Sequence, residues 1–411
     1  MADPALARLS ALVDDAFEAE VAFLAELVRT PSDNPPGDCA GHAEVTAKAL
    51  ERLGFEVERH PVPADRVAAA GMISATNLIV RRRFGEGGPV IALNAHGDVV
   101  PPGEGWTADP YGAEIRDGWM YGRGAAVSKS DFATYAFAIL ALERSGIALD
   151  GVIELHGTWD EEAGGEIGPK WLLDEKLTAP DYAIAAGFSY SVVDAHNGCL
   201  HLEVVVEGRS AHAAIPFTGV DALEAANGVL SALYAHRKGL SARVSATPGI
   251  GSPQLTVGLI SGGINTNVVP DRVAFRLDRR MIPEELPEAV EADLRAVIET
   301  AAAGFPEAEV HIERILLARP LAPLPGSERL ARALAGRASE VFGVEVPTAG
   351  VPLYTDARHY AEAGVPIVLY GAGPRTITEA NAHRADERLP LDDLRRATRV
   401  VALALADLLG R

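Results

Sequence analysis

The chain has 411 residues, more than one ordinary domain and fewer than three, so two domains are expected. Hydrophobic residues make up 48% and charged residues 23%, which is too much apolar content for a disordered chain. Lys+Arg number 37 against 57 Asp+Glu, a net charge of −20 that repels phosphate backbones and anionic bilayers. Nucleic-acid and membrane partners are therefore not expected. No apolar run reaches the length of a bilayer span, and no basic start followed by an apolar stretch marks a secretory leader. The two cysteines, Cys39 and Cys199, are too far apart in sequence for a disulfide framework or a structural zinc knot, which makes the cytoplasm the expected compartment.

In chain order, residues 9–29 have helical apolar spacing and stop before Thr30-Pro31. A second helix runs to about Leu53 and ends at Gly54. Strands follow at Phe55–Arg59, Asn77–Arg81, Val90–Ala95 and Val152–Thr158, with a buried helix over Asp131–Ser145. Another strand is expected at Tyr182–Ala186. Strands alternating with helices predict an α/β layer built on a mostly parallel sheet. The middle of the chain differs. His201–Glu207, Asp221–His236, Gln254–Ile260, Arg272–Met281, Glu284–Ala302 and Glu309–Leu317 read as β-α-β-β-α-β, a split βαβ (ferredoxin-like) module. The α/β texture resumes with a helix near Glu328–Phe342, a strand at Pro366–Tyr370 and a helix at Leu391–Leu409. The expected domains are thus a catalytic α/β domain, residues 1–198 and 318–411, and an inserted module, residues 199–317.

Four clusters carry chemistry. His96-Gly97-Asp98 ends a strand, where ligands of open α/β sheets bind. His96 can offer a ring nitrogen to a metal, and Asp98 can orient the ring. Alone, the motif is equally an Asx turn. Glu161-Glu162, after another apolar strand, is either the acidic first turn of a helix or a metal ligand beside a general base. His383 lies in a late loop after Gly371-Ala372-Gly373-Pro374 and gains weight as the further ligand that such a site needs. His212, in the inserted module, can contact a substrate carboxylate or an oxyanion. His42, His60, His201, His236, His311 and His359 are read as structural or surface residues.

Together with "LVRTPSDNPPGD", "GWMYGRGAA" at 118–126, "GGINTNVVPD" at 262–271, "LDRRMIP" at 277–283 and "TDARHY" at 355–360, these clusters resemble a known family from end to end. It is the zinc-dependent aminoacylase, carboxypeptidase G, acetylornithine deacetylase and succinyl-diaminopimelate desuccinylase family. The resemblance implies a catalytic α/β domain with an inserted lid that makes a homodimer. It implies that His96, Glu162 and His383 are metal ligands, Asp98 the orienting partner of His96, and Glu161 the general base. His212 matches a lid histidine that stabilises the transition state. Asn267 and Arg280 match lid residues that hold a substrate carboxylate, a task suited to a bidentate guanidinium.

The sequence departs from the family pattern at two ligands. Val127 stands where an Asp bridges two zinc ions, although Lys129, two residues on, is in place. Gly187 stands where an acidic terminal ligand is usual. Two dications about 3.5 Å apart repel by roughly 19 kcal/mol at an effective dielectric of about 20, and the missing carboxylates normally offset that. One zinc is therefore expected rather than two, since two His and one Glu suffice for a single catalytic ion. Asp131, Asp194 and His196 are the candidate replacement ligands. The expected function is hydrolysis of an amide bond in an N-acyl amino acid, dipeptide or related small molecule with a free carboxylate. One alternative is a metal-independent lyase, isomerase or amide-forming enzyme that uses Glu161 and Lys129. The other is a non-catalytic binding protein.

Overall fold

A computed structural model describes residues 4–410. Met1 to Asp3 and Arg411, the ends of the expected catalytic domain, lie outside the described residues. The chain divides into two compact units. Of the described residues, the first comprises 4–194, 323–349 and 355–410, and the second Ala195–Ala322 and Gly350–Tyr354.

The first unit is an α/β layer. Its sheet takes the strands in the order Val57–Pro61, Thr76–Phe84, Gly151–Thr158, Val90–His96, Tyr182–Ala185, Ile367–Leu369, Val192–His196, Thr348–Val351. The sheet is mixed. The four central strands, Gly151–Thr158 to Ile367–Leu369, are parallel. Thr76–Phe84 and Val57–Pro61 continue it antiparallel on one side, and Val192–His196 pairs antiparallel on the other. Gly151–Thr158 is buried along its whole length, so it reads as a continuous apolar run instead of alternating.

The helix Lys129–Ser145 is buried at every residue except Glu143 and Arg144. Its all-round apolar surface is what a helix enclosed by others requires. It packs between Pro4–Arg29 and Leu391–Leu409 and ends on the left-handed Gly146. A small sheet of Glu114–Arg116, Trp119–Tyr121 and Arg388–Pro390 is also present. Its three-residue strands carry no periodicity that the sequence reveals.

The second unit is a four-stranded antiparallel sheet in the order Gln254–Gly262, Arg272–Met281, Gly198–Glu207, Glu309–Ala318. Its helices are Ala222–Leu240 and Pro287–Ala302. The second helix begins at Pro287 instead of at Glu284, because proline suits the first helical turn. Leu200, Leu202, Val204 and Val206 point from the central strand into a core shared with both helices.

One buried acid gives the fold a pH dependence. Glu20 is fully buried and accepts a hydrogen bond from the Thr398 hydroxyl. Its Oε2 has no hydrogen-bond partner among the described residues. Burial pushes the carboxyl up to about 8, against a smaller pull downward from Thr398. A raised acid stabilises the fold fully below its unfolded value, and that contribution is lost as the pH rises through the folded value. The expected loss therefore runs from about pH 4.5 to about pH 8. Glu20→Gln should raise the thermal midpoint at pH 8.5 and flatten its decline above pH 5. Identical slopes for the two proteins would remove Glu20 as the cause.

Candidate metal and catalytic site

The parallel pairing of Val90–His96 with Gly151–Thr158 sets His96 opposite Thr158, so both strands end at one level. His96 is the last residue of one strand, and Asp160-Glu161-Glu162 follows the other. This is the carboxyl edge of the parallel strands, where the sheet leaves room for a ligand. Gly97 turns the chain against Trp159: a Cβ there would lie 2.3 Å from the indole Nε1. Gly165, at φ +72°, turns the acidic segment back, with its N–H bonded to Asp160 O at 2.8 Å.

Asp98 ties the two strand ends together. It is fully buried. Its Oδ1 accepts from Glu161 N at 3.3 Å, and its Oδ2 accepts from Glu162 N at 3.1 Å and Asn34 Nδ2 at 2.9 Å. His96 Nδ1 lies 3.1 Å from Asp98 O and 3.4 Å from its Oδ1. Both partners are acceptors, so Nδ1 carries a proton and Nε2 is the nitrogen left for a metal, which would displace any proton there. His96, Glu161 and Glu162 each offer a ligand atom, and those atoms lie within 4.8 Å of one another.

Three negative groups around a buried histidine shift its chemistry. Burial alone would lower His96, but Asp98, Glu161 and Glu162 push it well above the usual histidine range. Glu161 is raised to about 7, by burial first and then by Glu162 and Asp98, against an opposing pull from His96. His383 Nε2 is 3.5 Å from Glu162 Oε1, and that carboxylate raises the histidine. The ring is held on a backbone at φ +61°. Its loop is anchored by Asp386, which accepts from the Thr107 N–H and hydroxyl, each at 2.8 Å.

The remaining expected residues are placed as follows. Lys129 is fully buried, and its Nζ donates to Leu27 O at 3.1 Å and Thr30 O at 3.0 Å. It holds the end of the first helix, and burial lowers it to about 7. In the second unit, His212 and Asn267 are both exposed on neighbouring segments, with Ala213 N bonded to Asn267 O at 3.0 Å. Arg280 lies on the Arg272–Met281 strand and is bound to Asp278.

The two departures have different surroundings. Val127 is half-buried at the turn before the buried helix. At Gly187 a Cβ would come within 2.7 Å of the Leu369–Tyr370 backbone, so no carboxylate side chain fits there as the strands stand. Asp131 Oδ1 accepts from Ala372 N at 2.8 Å, beside Gly371. Burial raises Asp131 to about 7 while His96 lowers it. Asp194 is half-buried and raised by burial. His196 ends the Val192–His196 strand, with its Nδ1 2.9 Å from Asn197 O.

Sequence reasoning gave no role to Asp356, although it lies in the quoted TDARHY motif. Its carboxyl is buried, and its Oδ2 has no hydrogen-bond partner among the described residues. Burial first, then Glu161 and Asp160, push it well above the usual carboxylate range. The motif marked its position, but only the fold brings it to the acidic turn. The convergent His96, Glu161 and Glu162 and the orphaned Asp356 oxygen fit a divalent cation.

Comparisons with known proteins identify the family. Residues 92–407 match peptidase family M20/M25/M40. An acetylornithine deacetylase of Myxococcus xanthus is 30% identical over 407 residues, 97% of this chain and 100% of that protein. A succinyl-diaminopimelate desuccinylase of Gluconacetobacter diazotrophicus is 29% identical, covering 94% of this chain and 96% of that one. A metallo-carboxypeptidase of the M20 family from Sulfolobus solfataricus has the same fold, with a TM-score of 0.77 at 18% identity over 94% of this chain and 98% of that one.

Fold and family thus define an α/β amidohydrolase, in a family whose members are metal-dependent. The chain belongs to peptidase family M20/M25/M40, whose activity is on acyl amino acids or dipeptides. Among the described residues no helix is long and apolar enough to cross a membrane.

Proposed function

We propose that this enzyme hydrolyses the amide bond of an N-acyl amino acid, dipeptide or related substrate with a free carboxylate, with Glu161 as general base at a single-zinc site. The observation that carries the reading is the convergence of His96, Glu161 and Glu162 at the strand ends. His96, Glu162 and His383 would hold the zinc, which when bound supplies Lewis-acid polarisation of the carbonyl and a more acidic water. Glu161 takes a proton from the attacking water as oxygen bonds to the carbonyl carbon. It returns that proton to the amide nitrogen as the C–N bond breaks, which yields a carboxylic acid and an amine. Asp98 holds His96 in the tautomer that presents Nε2. His212 is assigned to the developing oxyanion, and Asn267 and Arg280 to the substrate carboxylate.

The metal-independent alternative asks Lys129 to act on substrate, but two backbone carbonyls already engage its amine. The homodimer and the cytoplasmic location belong to this proposal too. Exposed Leu259 and Ile260 on the edge strand Gln254–Gly262 support a paired copy. A panel of N-succinyl, N-acetyl and dipeptide substrates, each with its carboxylate either free or amidated, tests the function. Release of amine from the free acids alone supports it. Equal turnover of the amidated forms would remove the carboxylate requirement, and no turnover of any member would sink the substrate class.

A further inference from the structure

The second unit carries another group of metal-type side chains, on residues for which sequence reasoning found no chemistry. Its central strands pair Cys199 with Arg280 and His201 with Asp278 in antiparallel register. Alternation sends Leu200 and Leu202 into the core, so Cys199, His201, Asp278 and Arg280 share the opposite face. Cys199 is buried, while His201 and Asp278 are about one-third exposed.

A thiol, an imidazole and a carboxylate meet there, each with a ligand atom within 4.8 Å of the others. Cys199 Sγ lies 3.2 Å from His201 Nε2 and 3.7 Å from Asp278 Oδ1, and His201 Nε2 lies 3.2 Å from Asp278 Oδ2. Tetrahedral zinc has Zn–S of about 2.3 Å and Zn–N or Zn–O of about 2.0–2.2 Å, which sets its ligands roughly 3.3–3.6 Å apart. The three contacts already have nearly that size, with the thiol facing Oδ1 and the imidazole facing Oδ2 of the same carboxylate. A Cys-His-Asp relay for nucleophilic attack is a different arrangement, because it uses the two ring nitrogens for its two partners. Here one nitrogen, Nε2, faces both the thiol and the carboxylate, so the three groups converge on a point instead of forming a chain.

We infer that Cys199, His201 and Asp278 form a site for one soft divalent metal ion, zinc being the borderline-soft case, with no ligand in common with His96, Glu161 and Glu162. Thiolate and imidazole select zinc-like ions over magnesium or calcium. Binding forms the metal–sulfur bond and releases the Cys199 thiol proton to solvent. Arg280 holds the carboxylate in place through Nε at 3.0 Å from Oδ1 and Nη2 at 3.1 Å from Oδ2. A bound dication competes with Arg280 for that charge. Arg280 is also the residue assigned to the substrate carboxylate, so occupancy of this site would change KM. The metal site itself does not depend on that assignment.

Cobalt(II) added to the metal-free full chain tests the site, because thiolate ligation gives a sulfur-to-cobalt charge-transfer band that histidine and carboxylate ligands do not. The expected band saturates at one ion, bleaches on zinc addition, and persists in Cys39→Ser and Glu162→Ala. It disappears in Cys199→Ser. In His201→Ala the affinity falls by at least about 100-fold, since even outer-shell partners cost 10–100-fold. His201 is partly exposed, so this variant keeps the test valid should Cys199→Ser fold poorly. A native chain without the band, a band that survives Cys199→Ser, or one lost in Cys39→Ser would overturn the inference. None of these outcomes depends on amide hydrolysis.

Discussion

Glu161→Gln is expected to lower turnover by roughly 10²–10⁴-fold, the range general-base catalysis supplies. The change is isosteric and removes the proton acceptor while leaving His96, Glu162 and His383. The Asp98 carboxylate accepts from the backbone N–H of residues 161 and 162, so the turn keeps its anchor whatever side chain it carries. Bound zinc and the thermal midpoint should therefore stay near those of the native chain while kcat collapses. Retained turnover would assign the proton transfer elsewhere, and the buried Asp356 would be the next residue to change.

Arg123→Met should cost about 3–5 kcal/mol of stability, the penalty for breaking a buried ion pair on one side only. Arg123 and Glu387 are both buried and meet at 2.5 Å, Nη1 to Oε2. Glu387 Oε1 also accepts from Ala126 N at 3.1 Å, and its carbonyl accepts from Gly122 N at 2.9 Å. The pair clamps the loop carrying His383 to the turn that precedes the buried helix. Urea unfolding should show the loss, and the double variant Arg123→Met/Glu387→Leu should recover most of it, because no buried charge is then left alone. A cost under about 1 kcal/mol in the single variant would place the pair among surface ion pairs.

Much of the fold was legible because its signals are local. The apolar run of Gly151–Thr158, the alternation in Gly198–Glu207 and the Ala- and Phe-rich Lys129–Ser145 helix each announce their structure in their own residues. The antiparallel flanks of the large sheet were not legible. Pairing direction depends on where the chain returns, and a strand as short as Val192–His196 carries no period. At the site, His96 and the Glu161-Glu162 pair stood out because each follows an apolar strand. Asp356 did not, because a single Asp before a short helix looks like ordinary surface until the fold buries it. Lys129 is the converse case. Its motif suggested chemistry, and the fold uses its amine to hold the end of the first helix.

The central claim is that zinc at the His96, Glu162 and His383 site drives amide hydrolysis. The most direct measurement is turnover of an N-acyl amino acid by exhaustively chelated protein as zinc is returned. Zinc at this site is counted as the difference in bound metal between the native chain and Glu162→Ala, which leaves the Cys199 group out of the count. The account predicts no turnover without metal and full turnover at one zinc per chain by that difference. Full turnover in the chelated protein would contradict it, and a requirement for two ions would mean that Asp131 or Asp356 replaces the ligands absent at Val127 and Gly187.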